Sequence, residues 1–263
     1  MVREEFEVLF ARIDDICRRT ERGELGVSSF LSPRERFFVE KYLLQRGMSG
    51  RYIAYGGYAD AERRRVFILP DYIQKAESFS DIEPYIDGSP VCAVRIRGSG
   101  YRRLTHRDYL GSVLGLGIER EKLGDIVFED TEREEALLFC DGVISDFILG
   151  ELKKVASDTV KVEVAELPPD FEPKRSFAHI SDTVASARID CIVAALCSLS
   201  REKASQAVGA GLVEVNFECE TRPDRTVSAP ALVSVRGYGK FRINSVSEQT
   251  RRGRLRLDAD KYI

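Results

Sequence analysis

The sequence has little of what a secreted or membrane-spanning protein contains. No window in its 263 residues approaches about 18 uninterrupted apolar residues, so we expect no membrane-spanning helix. The first residues, Met1–Phe6, carry acidic side chains and lack an apolar core, so no secretion signal is expected. The six cysteines are scattered and mostly flanked by apolar residues, a pattern typical of reduced core thiols in a cytoplasmic protein.

Patterns for metal binding and catalysis are also scarce. The cysteines form no C-x-x-C pair and the chain has only two histidines, so no metal site and no cofactor are expected. His106 and Asp108 are close enough in sequence for acid–base work, but Asp108 stands where it would cap a helix, and no Ser or Cys nucleophile motif accompanies it. Gly111, Gly115 and Gly117 do not follow a strand, as the glycines of a dinucleotide loop would. We therefore expect no enzyme activity.

The charge of the chain is small in sum but uneven in distribution. Apolar residues make up 43% and charged residues 32%, which is typical of a globular protein. The length is sufficient for two or three domains, each with its own core. Residues 175–263 hold 14 Lys and Arg against 10 Asp and Glu, net +4, whereas the other residues hold 26 against 33, net −7. A basic region is the electrostatic mark of nucleic-acid binding, and a solvated surface is its alternative interpretation.

Hydrophobic spacing predicts an α+β protein of several domains. The first, residues 1–72, begins with a helix whose apolar side chains recur from Phe6 to Ile16. The segment Ser32–Glu35 is typical of a second helix start, with Ser as N-cap, Pro in the first turn and Glu three residues after the cap. Two strands are predicted, at Arg51–Tyr55 and Arg65–Leu69.

The middle region, residues 73–166, predicts a β-α-β-β-α-β order of elements. This is the order of ferredoxin-like domains and of RNA-recognition motifs. Thr105 is expected to cap the first helix, with Asp108 three residues later. The predicted elements are a strand at Val91–Arg97, a helix after Thr105, strands at Asp125–Glu129 and Ala136–Cys140, a helix at Val143–Val155 and a strand at Val160–Val164.

The middle region is poor in rings for base stacking. RNA-recognition motifs stack bases on aromatic side chains of the sheet, but the first predicted strand has none and the third offers only Phe139. A scaffold or protein-docking role is therefore favoured over a stacking platform. The run Arg63–Arg65 predicts either a solvated turn or an RNA contact. Candidates for phosphate contact are Arg95, Arg97, Arg102 and Arg103.

The last domain, residues 177–263, follows a proline-rich linker at residues 167–176. Apolar side chains from Ile189 to Leu196 predict one helix, and Ser200 is placed to cap another. The first turns of these helices carry Arg188, Arg201 and Lys203. Because the N–H groups at a helix start favour phosphate and the cations add to this, we expect salt-sensitive RNA binding.

Motifs of this last domain are similar to the RNA-binding domain of the ribosomal protein S-four type, the alpha-L motif. The similarity lies in R-I-D at 188–190, L-S-R-E-K-A at 199–204, G-L-V-E-V-N at 211–216 and V-S-V-R-G at 233–237. The resemblance implies that RNA is contacted by Arg188, Ser200, Arg201, Lys203, Gln206, Asn216 and Arg236.

The segment after these motifs adds rings beside cations. Tyr238 is expected to stack on a base, while Lys240 and Arg242 hold phosphate. Phe241 is expected to fill the core of the domain. Strands are predicted at Val213–Phe217 and Arg254–Leu257, the second after a basic turn at residues 251–254.

Four further segments look like the bacterial YlmH family and extend the resemblance over nearly the whole chain. They are Ser32–Glu35 (SPRE), Tyr55–Arg63 (YGGYADAER), Pro70–Tyr72 (PDY) and His106–Ile118 (HRDYLGSVLGLGI). The resemblance implies an N-terminal helix-and-strand domain, an RRM-like middle and a C-terminal RNA-binding module. It also implies a cytoplasmic protein that binds the large ribosomal subunit and tRNA during quality control of stalled translation, with a link to cell division.

We therefore expect a non-catalytic RNA-binding protein of the translation machinery, whose partners are rRNA of the large subunit and tRNA. One alternative is an RNA-modifying enzyme, although the sequence offers neither a catalytic-Asp domain nor a methyl-donor loop on a doubly wound sheet. Another is a cell-division-linked interaction protein for which RNA is incidental.

Overall fold

The computed structural model describes residues 5–128, 135–168, 170–173, 177–249 and 253–262, with residues 248 and 249 as backbone only. The chain forms two compact units, Met1–Lys174 and Arg175–Ile263, called unit 1 and unit 2 below. Their boundary lies inside the predicted linker, while the predicted division after residue 72 lies inside unit 1. Both units mix helices and strands, so the α+β prediction is confirmed. Among the described residues, no helix is long and apolar enough to cross a membrane.

The first part of unit 1 packs two helices on a small antiparallel sheet of order β1-β3-β2. Its elements are α1 (Glu7–Thr20), β1 (Gly26–Val27), α2 (Pro33–Gln45), β2 (Tyr52–Tyr55) and β3 (Arg65–Ile68). Helix α2 starts as predicted: the Ser32 hydroxyl accepts from the Glu35 N–H at 3.3 Å, and the Glu35 carboxylate accepts from the Ser32 N–H at 2.7 Å. Buried side chains of α1, α2 and β3 form one core, including Ile13, Val39, Leu43, Val66 and Ile68.

The second part of unit 1 is a four-stranded antiparallel sheet of order β5-β6-β4-β9. A short helix, α3 (Phe79–Ile82), precedes it and packs on β2 and β3 of the first part. The elements of the second part are β4 (Cys92–Arg97), α4 (His106–Leu114), β5 (Leu123–Phe128), β6 (Glu135–Cys140), α5 (Ser145–Glu151), β7 (Lys154–Val155), β8 (Asp158–Thr159) and β9 (Lys161–Val164). The predicted helix Val143–Val155 is wrong at its end, because β7 and β8 form a hairpin there. Ala156 turns the chain with a φ of +52°, and the Ser112 hydroxyl accepts from its N–H at 2.9 Å.

One face of this sheet is covered by helices, and the other is covered over part of its area. One face packs on α4 and α5 through Val94, Ile96 and Leu138, which lie against Tyr109 and Ile148. The opposite face is where an RNA-recognition motif would stack bases. Ala93, Leu137 and Phe139 lie on this face. They are covered by Tyr58, Ala61, Leu167 and Phe171.

Phe139 lies in the covered part of the second face, which is closely packed. Its side chain is only 1% exposed, and its ring lies 5.0 Å from the Tyr58 ring and 6.4 Å from the Phe171 ring, centroid to centroid. Gly57 approaches so closely that a Cβ on it would overlap the Phe139 ring. The single aromatic that the sequence offers for stacking is therefore part of the core.

The arginine run Arg63–Arg65 joins the two parts of unit 1. The Arg63 guanidinium donates to the carbonyl of Leu123 at 2.9 Å and of Phe30 at 3.0 Å. Arg65 is buried and pairs with Asp141 at 3.2 Å. Burial lowers the pKa of all three arginines. A solvated turn does not describe this run, so that interpretation is wrong, and the RNA contact stays a prediction.

Unit 2 is a six-stranded antiparallel sheet of order β10-β15-β14-β13-β11-β12 with two helices on one face. Its elements are β10 (Phe177–Val184), α6 (Ile189–Cys197), α7 (Arg201–Gly209), β11 (Val213–Val215), β12 (Glu218–Glu220), β13 (Ala231–Val235), β14 (Gly239–Gln249) and β15 (Leu255–Tyr262). Ile192, Val208 and Phe241 belong to its core, and Phe241 is 0% exposed, which confirms its predicted role.

The strand ends of unit 2 differ from the prediction in two places. The predicted strand Val213–Phe217 stops at Val215, because Asn216 and Phe217 take φ values of +49° and +65° and form a turn to β12. The last strand is longer than predicted and reaches Tyr262. Within the predicted basic turn, residues 251 and 252 lie outside the described residues.

Candidate nucleic-acid interface

The starts of α6 and α7 are held together by one buried carboxylate. Asp190, which is 2% exposed, accepts from the Arg188 guanidinium at 3.0 and 3.1 Å and from the Arg201 guanidinium at 3.3 Å. Burial opposes the charge of Asp190, but the hydrogen bonds from Arg188 and Arg201 outweigh it and lower the pKa of this carboxyl. The two predicted arginines therefore lie side by side, with 37% and 59% of their side chains exposed.

The start of α7 carries the other predicted residues of this helix. The Ser200 hydroxyl accepts from the Lys203 N–H at 3.3 Å. Ser200 therefore caps α7 and also lies at the predicted RNA-binding surface. Lys203 and Gln206 are exposed and share one face of α7 because they are three residues apart.

The loop between β12 and β13 brings two more arginines to this place. Its carbonyls cap α6: that of Arg225 accepts from the Ile189 N–H at 2.8 Å, and that of Pro223 from the Asp190 N–H at 3.1 Å. Arg222 and Arg225 are not among the residues predicted from the sequence. The signal that was available is an arginine on each side of a Pro-Asp turn.

A second buried carboxylate holds this loop. Glu220, 3% exposed, accepts from the Arg222 N–H at 2.8 Å and from the Arg225 guanidinium. Burial opposes its charge, but these donors prevail and lower the pKa of Glu220. We use the name helix-start cluster for Arg188, Arg201, Lys203, Arg222 and Arg225.

Two predicted residues lie at the other end of α7. The Arg236 N–H donates to the carbonyl of Leu212, just beyond the end of α7, at 2.9 Å. Tyr238 follows in the same turn and is 43% exposed. Since α7 has nine residues and an α-helix rises about 1.5 Å per residue, this turn lies roughly 13 Å along the helix from Arg201.

Asn216 has a structural role in the turn between β11 and β12. Its side-chain oxygen accepts from the Leu232 N–H at 2.8 Å, and its own N–H donates to the Leu232 carbonyl at 2.8 Å. The residue is half-buried. The amide oxygen of Asn216 is therefore occupied by a hydrogen bond from strand β13.

Lys240 and Arg242 lie on the opposite face of the sheet from the helices. They alternate along β14 with the buried residues Phe241 and Ile243, and neighbouring residues of a strand point to opposite faces. The predicted set therefore divides between two faces of unit 2. Only Arg188, Ser200, Arg201 and Lys203 come together at the helix starts.

Rings and an acid surround the two cations on this outer face. The Lys240 ammonium lies 5.0 Å from the centroid of the Tyr262 ring, and the Arg242 guanidinium lies 5.0 Å from that of Phe177. Arg242 also donates to Asp260 at 2.9 Å. Hydrogen bonds from Asn244, Arg242 and His179 lower the pKa of Asp260 to about 2. We call Phe177, Lys240, Arg242, Asp260 and Tyr262 the outer-face cluster.

In the candidate acid–base pair of unit 1, His106 and Asp108, the carboxylate of Asp108 caps helix α4. The Asp108 carboxylate accepts from the Thr105 hydroxyl at 2.7 Å and from the Thr105 N–H at 2.8 Å, which closes the cap of α4. These two hydrogen bonds lower the pKa of Asp108. Over the described ranges, no three His, Cys, Asp or Glu side chains come together as a metal site.

Comparison with known proteins gives agreement over most of the chain. Residues 94–168 match a family described as "Putative RNA-binding domain in YlmH". The Ribosome-associated protein quality control protein P2 of Bacillus subtilis (strain 168) is 28% identical over 242 residues, which cover 92% of this chain and 89% of that protein. The chain is thus similar to the YlmH family over most of its length.

The chain is also similar to a solved structure whose name includes ylmH. The Cell division protein ylmH from Streptococcus pneumoniae has 23% sequence identity and a TM-score of 0.47, over 62% of this chain and 92% of that one. The region that matches the family description comprises β4–β9 of unit 1. The helix-start cluster of unit 2 lies outside it.

Proposed function

We propose that this chain is a member of the YlmH family and a non-catalytic RNA-binding protein. It is proposed to associate with the large ribosomal subunit, to contact rRNA and tRNA, and to act in cytoplasmic quality control of translation. The RNA-binding and ribosome-associated parts are supported by the family description and by the name of the Bacillus relative. The large subunit, tRNA and the absence of catalysis are parts of the proposal.

The observation that carries the proposal is the helix-start cluster with its two buried carboxylates. Five cations lie around the helix starts, and the two acids that pair with the arginines, Asp190 and Glu220, are enclosed beneath them. The exposed acids there, Glu202 and Asp224, are outnumbered by the five cations. A phosphate approaching from outside therefore meets guanidinium groups first. Guanidinium binds phosphate through two parallel N–H groups, and a side chain already held in place loses less freedom on binding.

The domain interpretations belong to the same proposal. The antiparallel order β5-β6-β4-β9, with helices after its first and third strands in sequence, supports an RRM-like, ferredoxin-like domain in unit 1. Two consecutive helices that start on one basic surface support an alpha-L module of the ribosomal S-four type in unit 2.

Sedimentation tests the proposal directly. The tagged chain and its Lys203→Glu variant are run from lysate on sucrose gradients at low and moderate salt. We expect the parent chain to migrate with the large subunit and the variant to shift to the top, since a phosphate contact becomes a repulsion. Lys203 is exposed, so the substitution should leave the fold intact.

A control and an enzyme treatment complete this test. Arg256→Glu changes an exposed arginine of β15 outside the helix-start cluster and should sediment like the parent. RNase treatment should release the parent chain from its complexes. Migration of the parent at the top of the gradient at low salt would overturn ribosome association. Partner association that resists RNase would instead favour a protein-interaction role.

A further inference from the structure

The matched region of unit 1 has its sheet aromatic, Phe139, buried, and the uncovered part of that face carries Arg95 and Arg97, both paired with Glu135. Phe139 and Leu137 on its second face are 1% and 0% exposed, beneath Tyr58 and Phe171 of the same chain. A domain of this kind needs another surface for RNA. The loop between β4 and α4 offers one.

Tyr101 in this loop is 89% exposed, the highest value among the large apolar side chains of the described residues. Arg102, Arg103 and Arg107 beside it are exposed as well. An aromatic ring held in water gives no stability to the chain itself. A ring among several guanidinium groups is what unpaired nucleic acid needs, namely a stacking surface with phosphate donors around it.

The loop is braced from below by a buried acid. Asp158 of β8 is 4% exposed and accepts from the Ser99 N–H at 3.1 Å and from the Ser99 hydroxyl. Arg102 contacts the Ser157 hydroxyl at 3.4 Å and Asp108 at 3.5 Å. The loop thus keeps one shape, which lowers the ordering cost of binding.

The hairpin that braces the loop also carries two exposed lysines. The β7–β8 hairpin that holds Ser99 and Arg102 also carries Lys153 and Lys154 at its start, both exposed. The two acids that brace the loop, Asp108 and Asp158, are outnumbered by the five cations Arg102, Arg103, Arg107, Lys153 and Lys154. The surface formed by the loop and the hairpin is therefore basic and complementary to a nucleic-acid backbone.

We propose that residues 99–107 form a second RNA contact, which stacks an unpaired base on Tyr101 and holds the flanking phosphates on Arg102, Arg103 and Arg107. The inference rests on the proposed RNA-binding function but is independent of the helix-start cluster. It assigns single-stranded RNA, and not a duplex, to the loop, because stacking on a side chain requires a base that has left its helix.

Binding of a short uridine-rich single-stranded RNA to the full chain tests the proposal. Tyr101→Ala should weaken binding roughly tenfold, within the range for loss of one stacked base, while Tyr101→Phe keeps the ring and should bind like the parent. Tyr72→Ala is the matched control, since Tyr72 is 57% exposed and lies outside the loop. A fully paired RNA duplex should bind the parent and Tyr101→Ala equally.

Cross-linking locates the contact and separates this proposal from the broader one. With 4-thiouridine in the RNA, the cross-linked peptide of the parent should include Tyr101. If Tyr101→Ala binds like the parent while Lys203→Glu loses affinity, the loop proposal is overturned and the proposed function stands. If the parent chain binds neither RNA, both are overturned. A loop that captures only an acidic protein would also overturn the RNA assignment.

Discussion

Arginines are used in opposite ways in the two units of this chain. In unit 1, the run Arg63–Arg65 lies inward, donates to backbone carbonyls and pairs with the buried Asp141. In unit 2, Arg188 and Arg201 sit on a buried acid and remain partly exposed. The order of burial is reversed: the cation is enclosed in one case and the carboxylate in the other. A basic run in a sequence therefore does not by itself identify an RNA surface.

The largest effect is expected where the cation is enclosed. Arg65→Met should lower the free energy of unfolding by about 3 kcal/mol, the low end for breaking a buried ion pair. The reason is that, among the described residues, it leaves the buried Asp141 with Lys122, at 3.3 Å, as its remaining charged partner. Urea denaturation followed by circular dichroism measures this loss. RNA affinity of the folded variant should stay unchanged.

The matched control is an exposed pair in the same unit. Arg12→Met breaks the pair of Arg12 with Glu121, whose side chains are 57% and 39% exposed. Surface pairs contribute about 0–1 kcal/mol, so this variant should unfold close to the parent. Equal losses in the two variants would mean that burial does not distinguish these arginines.

The sequence predicted the local elements better than the direction of charged side chains. The caps of α2 and α4 were readable because Ser32 and Thr105 are each followed three residues later by an acid that completes the cap. Strand β10 was missed: Phe177–Val184 is polar at several positions, and as an edge strand it pairs only with β15.

Side-chain direction was beyond the sequence because it depends on tertiary neighbours. Nothing local shows that Arg63 faces the carbonyls of Phe30 and Leu123. Likewise, Arg225 joins the helix-start cluster only because the loop after β12 caps α6. Phosphate-binding candidates at helix starts were easier to name, since the N–H groups there are a local property.

An intermediate effect is expected where the carboxylate is enclosed. Asp190→Asn should lower the free energy of unfolding at neutral pH by about 1–2 kcal/mol, because hydrogen bonds to charged groups are lost or weakened. The pKa of Asp190 is lowered in the folded chain, so its stabilisation is present above the unfolded value of about 4 and is lost as pH falls through the folded pKa.

The pH dependence checks this sign. Unfolding measured from neutral pH to below about pH 4 should show a smaller acid-induced loss for Asp190→Asn than for the parent. Asp260→Asn provides a comparison on the outer face, since the folded pKa of Asp260 is about 2. A parent whose stability rose on acidification would contradict both assignments.

A smaller but specific effect concerns salt. Lys203→Ala should reduce the slope of log affinity against log salt concentration by about 0.7–0.9, the value for one phosphate contact. Arg256→Ala, which changes an exposed cation outside the helix-start cluster, should leave the slope unchanged. Titrations of RNA at several salt concentrations give both slopes, and identical slopes for parent and Lys203→Ala would remove Lys203 from the interface.

The smallest effect is expected on the outer face. Arg242 is already paired with Asp260 at 2.9 Å and lies over the Phe177 ring, so an RNA phosphate must compete with an existing partner. Arg242→Ala should therefore weaken RNA binding less than Lys203→Ala does, by about twofold or less, an effect of the size seen for exposed charge pairs. A loss as large as that of Lys203→Ala would extend the RNA surface to both faces of unit 2, as the sequence motifs first suggested. In that case Asp260→Asn, which frees the guanidinium, should strengthen binding.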